Sequence, residues 1–322
     1  MSRVLVTEEI AEAGLEQLRS AGHDVDVRLG LSPDELASAL VGAHALLVRS
    51  ATKVTADALA TADELIVVGR AGVGLDNVDV DAATAKGILV ANAPFSNIVS
   101  AAEHTVALML ALARHIPQAH SALVAGRWER SKWEGVEMQG KTLGVIGFGK
   151  IGKLVAERAR AFGMNIIAFD PVLTAEQAAA EGARAVSLAE LFASSDFITV
   201  HLPKNKETTN LINADTLATC KPGVRIVNVA RGGIVNEADL AAAITAGHVA
   251  GAAIDVFASE PCTDSPLFAL PEVVVTPHLG ASTAEAQDKA GVQIAEQIVL
   301  ALAGDQVPCA VNAQEGSVPR PR

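Results

Sequence analysis

The stretch L-G-V-I-G-F-G-K-I-G-K-L-V-A-E-R-A-R-A-F-G-M-N-I-I-A-F-D, from Leu143 to Asp170, decides how the rest of the chain is read. It runs strand, glycine turn, helix, strand, acid. Leu143 to Ile146 is a short apolar run suited to a buried parallel strand, and Gly147, Gly149 and Gly152 follow at the spacing G-x-G-x-x-G. Gly147 allows the tight turn, Gly149 lets a pyrophosphate approach the backbone, and Gly152 lets a helix beginning near Lys150 pack close to the strand. The free N–H groups of that helix start then face the anion. Asn165 to Phe169 supplies a second strand, and Asp170 ends it about 20 residues beyond the glycines, where a carboxylate accepts from ribose hydroxyls. A 2′-phosphate would be repelled there, so the reading is NAD in preference to NADP.

Downstream, strand and helix patterns keep alternating. Phe197 to His201, Arg225 to Val229, Ala252 to Val256 and Val273 to Thr276 are the strand candidates, and polar groups or turns collect at their ends. His201-Leu202-Pro203 ends one, Val229-Ala230-Arg231 with Gly232 and Gly233 the next, Asp255 another, and Pro277-His278-Leu279-Gly280-Ala281 the last. In a doubly wound sheet such ends line one crevice. Ser282-Thr283-Ala284-Glu285 reads as a capping box opening a helix to about Leu302, and the Pro-containing tail after Gly304 reads as loose.

Upstream, Val4–Val6, Val25–Val27, Ala45–Val48, Leu65–Val68 and Ile88–Val90 alternate with helical patterns around Ile10 to Arg19 and Pro33 to Leu40. This is an α/β layout with a parallel sheet. Gly69-Arg70-Ala71-Gly72-Val73-Gly74 is a second glycine loop with the spacing G-x-x-G-x-G. It reads as an anion nest of successive N–H groups around Arg70, with Arg49 placed to join it from a neighbouring strand end. A long apolar helix from about Val99 to His115, stopped by Pro117, looks like a connector between domains, and His104 on it reads as a structural histidine. Gly126 to Gln139 reads as an exposed loop that holds both tryptophans of the chain, Trp128 and Trp133, beside Arg130. Aromatic residues and arginine are enriched at interfaces.

The 322 residues leave room for about two domains. Half of them are apolar and the mean hydropathy is +0.33, yet the densest apolar patch, Thr105 to Ala113, is too short to span a bilayer. The start, M-S-R-V-L-V-T-E-E, lacks the basic flank, apolar core and cleavage site of a secretory signal. Cys220, Cys262 and Cys309 are widely spaced, which suits a reducing cytoplasm and neither a disulfide framework nor a metal site. A formal net charge of −12 argues against general affinity for nucleic acid or anionic lipid, so an anionic ligand has to be held by local cations.

Arg231, Glu260 and His278 form a reaction set. Hydride transfer between a nicotinamide and a 2-hydroxy acid needs a group near neutral pKa to exchange the hydroxyl proton, a neighbour to orient and charge it, and a cation to fix the carboxylate. Histidine, carboxylate and arginine supply these in turn.

Five stretches, G-R-A-G-V-G-L-D-N-V-D (69 to 79), G-V-I-G-F-G-K-I-G (144 to 152), N-V-A-R-G-G-I-V-N-E (228 to 237), D-V-F-A-S-E-P (255 to 261) and P-H-L-G-A-S-T (277 to 283), resemble the NAD-dependent D-2-hydroxy acid dehydrogenases. The resemblance extends from V-R-S-A-T-K-V-T at 48 to V-N-A at 311 to 313. It implies two similar Rossmann-like or flavodoxin-like parallel-sheet domains joined by long helices, a substrate domain of residues 1–97 plus 285–322 and an NAD domain of residues 98–284. It implies 3-phosphoglycerate as substrate, His278 as general base paired with Glu260, and Arg231 on the substrate carboxylate or hydroxyl oxygen. Lys150 and Ile151 would lie at the pyrophosphate and Asp255 near the nicotinamide amide. Arg49, Arg70 and Gly72 match positions for the substrate's anionic groups. Arg130 matches one that the family can present to a neighbouring subunit, so a homodimer or homotetramer is expected. Lys150 stands where arginine is common, which keeps the charge and loses the fork; Val73 stands where threonine also occurs. Longer members carry serine-binding regulatory domains that the resemblance does not reach. Two alternatives stay open: a reductase of glyoxylate, hydroxypyruvate or a related 2-oxo acid, and a dinucleotide-sensing binding protein of the corepressor kind.

Overall fold

In the computed structural model, which describes residues 1–313, the chain forms two compact units. One is Met1–Asn97 with the stretch from Ala281 on; the other is Ile98–Gly280.

The first unit begins β1 (Arg3–Val6), α1 (Glu12–Ser20), β2 (Asp24–Val27), α2 (Pro33–Leu40), β3 (Ala45–Val48), α3 (Ala56–Ala60), β4 (Val67–Arg70), α4 (Val80–Ala85) and β5 (Leu89–Asn92). Its strands are parallel in the order β2-β1-β3-β4-β5. Every residue of β3 is buried, as expected of a parallel strand covered on both faces. Local chemistry sets the helix starts. Ser32 accepts from the N–H of Glu35, whose side chain returns to Ser32, and Pro33 fits the first turn because its missing N–H has no partner there anyway.

Gly69 and Arg70 close β4 and do not belong to the following loop, contrary to the sequence reading. A Cβ on Gly69 would sit 2.8 Å from side-chain atoms of Ile294 and Ile298, so this glycine is there to admit a helix onto the strand. Two of the loop's N–H groups have partners inside the protein. The N–H of Ala71 goes to the Val48 carbonyl and that of Gly72 to the Arg70 carbonyl, each at 2.8 Å, so a nest at this loop would have to draw on its other N–H groups.

The second unit contains α5 (Ile98–Ala113), α6 (Ile116–Val124), a 3₁₀ turn (Arg130–Lys132), β6 (Thr142–Ile146), α7 (Lys150–Ala161), β7 (Asn165–Phe169), α8 (Ala175–Ala180), β8 (Arg184–Ala185), α9 (Leu188–Ser194), β9 (Phe197–Val200), α10 (Ala214–Ala218), β10 (Val224–Asn228), α11 (Glu237–Thr245), β11 (Val249–Ile254) and β12 (Val273–Val275). These strands are parallel in the order β12-β11-β10-β9-β6-β7-β8. The order reverses between β6 and β9, which is the ligand position of a doubly wound sheet. Pro117 starts α6, so the apolar helix gives way to a second one after His115, whose φ is 52°.

The last helix, α12 (Ala284–Ala303), belongs to the first unit. Its N-cap is Thr283, which accepts from Ala286, and the predicted box at Ser282 with Glu285 does not form: the residue three past the cap is an alanine. After Gly304 the chain is pinned, against the expectation of a loose tail. Ala310 bridges Ala91, the N–H of Val311 reaches the Val90 carbonyl at 2.8 Å, and Asn312 accepts from the N–H of Val90 at 2.8 Å. The rest of that expectation, beyond residue 313, lies outside the described residues.

Candidate active site

The glycine turn of the second unit is built as the spacing implies. Gly147 has φ 91°, and a Cβ there would meet the His201 carbonyl oxygen at 2.7 Å and the Leu202 side chain at 3.0 Å. A Cβ on Gly152 would collide with the Gly147 carbonyl oxygen, which is the close helix–strand approach expected of the third glycine. A Cβ on Gly149 would meet nothing within 4 Å, so the space before it is open. Gly149 caps α7 and, being glycine, contributes no side-chain cap to the first-turn N–H groups at Lys150, Ile151 and Gly152. Asp170 follows β7 and accepts the N–H of Phe148, inside the turn, at 3.0 Å and that of Val172 at 3.2 Å. Carboxylate oxygens keep further lone pairs for hydroxyls. A glycine-capped helix start, an open approach at Gly149 and an acid at the second strand end fit a dinucleotide whose adenosine ribose keeps its free 2′-hydroxyl.

At the end of β9, His201 shares a hydrogen bond of 3.0 Å with Thr199 through Nε2. Burial pushes its imidazole down to about 4, so it stays neutral at physiological pH. Pro203 follows, its carbonyl held by the Thr208 hydroxyl at 2.7 Å.

At the end of β10, Asn228 organises the turn that carries Arg231. Its Nδ2 donates to the Arg231 carbonyl at 2.9 Å while its Oδ1 accepts from Ala230 at 3.0 Å. The Arg231 guanidinium donates to the Ala230 carbonyl at 2.7 Å. Gly232 has no room for a side chain, because a Cβ would overlap the Phe257 carbonyl oxygen.

His278 and Glu260 meet, Nδ1 to Oε2, at 2.6 Å. Glu260 also accepts from the Phe257 N–H at 2.9 Å through Oε1, so the carboxylate is held from two sides. The hydrogen bond from Glu260 raises the His278 imidazole above its ordinary value, against the opposing pull of burial and of the Arg231 charge. Burial by itself would raise the Glu260 carboxyl, but the bonds from His278 and Phe257 and the imidazolium charge outweigh it and hold it low. With Nδ1–H given to Glu260, the neutral ring presents the Nε2 lone pair as its basic atom.

Asp255, which the resemblance places near the nicotinamide amide, follows directly on β11. It is fully buried, and its carboxylate accepts from Thr276 Oγ1 at 2.5 Å, Leu279 N at 2.7 Å, Gly280 N at 2.9 Å and His104 Nε2 at 3.2 Å. Its backbone carbonyl takes the His278 N–H at 2.8 Å. Burial would raise this carboxyl; the four donors win and hold it low, so it is a charged clamp on the loop that carries His278. Gly280 packs there because a Cβ would press on Val229 at 3.0 Å and Asp255 at 3.3 Å. Ala281 follows and is exposed. Sequence reasoning missed Thr276 and Asn228, and kept His104 apart from the site. Each acts through another residue, and only the strand-end position of Thr276 and Asn228 marked them.

In the first unit, Val48 pairs with Arg70 across β3 and β4, so Arg49, the next residue, and Arg70 share one sheet edge. Gly72, at φ 148°, lies under the Arg70 guanidinium, which a Cβ would strike. Arg130 is exposed on the 3₁₀ turn, and no hydrogen bond or ion pair among the described residues ties it to the His278–Glu260 pair. No group of three or more histidine, cysteine or acidic residues able to hold a metal occurs among the described residues. None of their helices is long and apolar enough to cross a membrane.

The chain belongs to the D-isomer specific 2-hydroxyacid dehydrogenase family, whose NAD binding domain matches residues 106–280. It is 57% identical over 317 residues to the D-3-phosphoglycerate dehydrogenase of Mycobacterium tuberculosis, an alignment that covers 98% of this chain and 60% of that protein. Among solved structures it is similar to the TT0316 protein of Thermus thermophilus, with a TM-score of 0.88, 33% identity and coverage of 96% and 99% of the two chains. A glyoxylate reductase from Paecilomyes thermophila gives a TM-score of 0.86 at 30% identity over 96% of this chain and 98% of that one. The cofactor that this family and this turn specify is NAD.

Proposed function

We propose that the chain oxidises D-3-phosphoglycerate to 3-phosphohydroxypyruvate with NAD, the reaction that opens the phosphorylated route to L-serine. The His278–Glu260 contact of 2.6 Å, in the unit that carries the NAD binding domain, is the observation this reading rests on. Ile98–Gly280 is the NAD-binding domain in this reading, and Met1–Asn97 with the stretch from Ala281 on is the substrate-binding domain. His278 takes the hydroxyl proton on Nε2 while Glu260 stabilises the imidazolium so formed. Arg231 holds the substrate carboxylate, and Arg49 and Arg70 hold its phosphate, since guanidinium forks match phosphate oxygens. Bound NAD supplies the acceptor for the hydride that leaves C2.

The chain spans 60% of the length of its M. tuberculosis relative, and that relative's name supports the substrate. A glyoxylate reductase shares the fold, so the fold alone does not choose the acid. Arginines beyond the one that a carboxylate needs favour a phosphorylated acid. The chain works in this reading as a homodimer or homotetramer in the cytoplasm. Exposed Ile116, Leu123 and Val124 on α6, with Trp128 81% exposed just beyond, give a second copy an apolar patch, and three free cysteines suit a reducing compartment.

NADH absorbance is the direct measurement. Turnover of 3-phosphoglycerate well above that of glycerate, D-lactate and, in reverse, glyoxylate is expected. Preference for an unphosphorylated acid would transfer the site to a sister reductase, and binding of NAD without turnover of any acid would leave a sensor.

A further inference from the structure

The five-stranded sheet reverses its order between β1 and β3, and the crevice outside the carboxyl ends of those two strands is where an open α/β sheet receives an anionic ligand. The chain's own carboxylate is docked there. Glu8, two residues past β1, accepts the backbone N–H groups of Arg49 at 2.8 Å and Thr52 at 2.9 Å on Oε1, and that of Ala51 at 3.1 Å on Oε2. Asn77 closes the same turn from its carbonyl side, donating to Arg49 O at 2.8 Å and Thr52 O at 2.6 Å. The Thr7 and Thr52 hydroxyls meet at 2.9 Å, and the N–H of Val54 reaches the Asn77 carbonyl at 2.8 Å. Arg49 is therefore fixed at both its N–H and its C=O by residues remote in sequence, while its guanidinium reaches the Glu9 carbonyl at 3.4 Å.

Converging backbone N–H groups are a general receptor for anions. Here Glu8 fills the receptor, so a substrate phosphate has no access to those donors and must be held by side-chain cations. We infer that Glu8 is a built-in counter-anion which, together with Asn77, positions the root of Arg49 and so sets the affinity of this sheet edge for the substrate's anionic group. This rests on the proposed role of Arg49 in holding the substrate. Glu8 and Asn77 are positioning residues in this scheme: neither touches the reacting atoms.

Steady-state kinetics on the full chain test it, with 3-phosphoglycerate and NAD varied in turn. Glu8→Gln keeps the size of the side chain and turns an NH₂ donor toward a backbone donor. Its KM for 3-phosphoglycerate should rise roughly ten-fold, with a much smaller change in kcat and in the KM for NAD. Glu8→Asp, which keeps both oxygens, should recover part of the loss. Arg49→Ala is the control for the underlying reading and should raise the same KM at least as far. A raised KM in Arg49→Ala with an unchanged KM in Glu8→Gln overturns the inference alone. An unchanged KM in Arg49→Ala removes the substrate role of Arg49, and the inference with it. Should Glu8→Gln not fold, Asn77→Ser removes the other half of the clamp and carries the same KM expectation and the same overturning result.

Discussion

His278 has φ 55°, a left-handed conformation that a residue with a side chain adopts at a cost of about 1 kcal/mol or more. The surroundings over-determine it: its N–H is taken by the Asp255 carbonyl, the two following N–H groups by the Asp255 carboxylate, and its ring by Glu260. Removal of proton transfer without damage to the glycine turn should therefore be possible. His278→Ala is expected to lower kcat roughly 10²- to 10⁴-fold while the NAD dissociation constant, read by fluorescence titration, stays within a few-fold. An equal loss of NAD affinity would reassign the residue.

The pH profile follows from the same pair. The basic form of His278 is the deprotonated one, and Glu260 is the largest cause that raises its pKa. In the oxidising direction kcat/KM should rise with pH through a limb above 6.5, the ordinary histidine value. Glu260→Gln removes the partner charge, so the proton leaves at lower pH. The limb moves down, and the plateau falls because the imidazolium loses its support. A limb that does not move in Glu260→Gln would separate it from His278. This pair was legible from residue type and strand-end position. The clamp was not, because Asp255 meets its donors Thr276, Leu279, Gly280 and His104 across 21 to 151 residues of sequence, a closeness that spacing does not encode.

At the scale of elements, the three glycines of the turn separate by what faces them. Gly152 faces backbone, so Gly152→Ala forces α7 away from β6 and should cost about 1–3 kcal/mol of stability together with NAD affinity. Gly149 faces open space and has φ −76°, which alanine adopts freely. Gly149→Ala should leave the thermal midpoint within a degree or two and weaken NAD roughly ten-fold or more, since the added methyl meets only the ligand. Thermal melts with and without NAD read both variants; equal destabilisation by the two would show that the turn closes on itself at Gly149 as well. The turn was legible because its physics is local. The end of β4 was not: Gly69 reads as loop chemistry, yet it is glycine because Ile294 and Ile298 press on the strand from more than 200 residues away in sequence. The cap of α12 failed for a smaller reason, as Ser282 and Thr283 are both good caps and a shift of one position removes the acidic partner.

For the molecule as a whole, the alternation of strands and helices made two parallel-sheet layers legible, but no pattern in α12 says which sheet it covers. Packing assigns it to the first unit, where it lies on β4 and Gly14 of α1 comes so close to Gly291 that a Cβ would strike the backbone. Among the described residues each unit is served by two apolar clusters of its own residues, Leu5 to Val90 and Val4 to Val307 in the first, Ile146 to Val273 and Ala102 to Val274 in the second. Both tryptophans, Trp128 and Trp133, fall in the second unit. Trp128 is exposed, so the emission change of the partly buried Trp133 reports unfolding of that unit, while far-ultraviolet circular dichroism reports both, and a single all-or-none transition is not the default for such a chain. Ile298 is fully buried in α12 against Gly69, so Ile298→Ala leaves a cavity in the first unit and should cost it about 2–5 kcal/mol. The expected outcome in a denaturant titration is an earlier circular-dichroism transition, a tryptophan transition in its original place, and NAD binding retained. If the tryptophan transition moves by the same amount, the two units unfold as one cooperative block, and a weakness in either is felt at the NAD site.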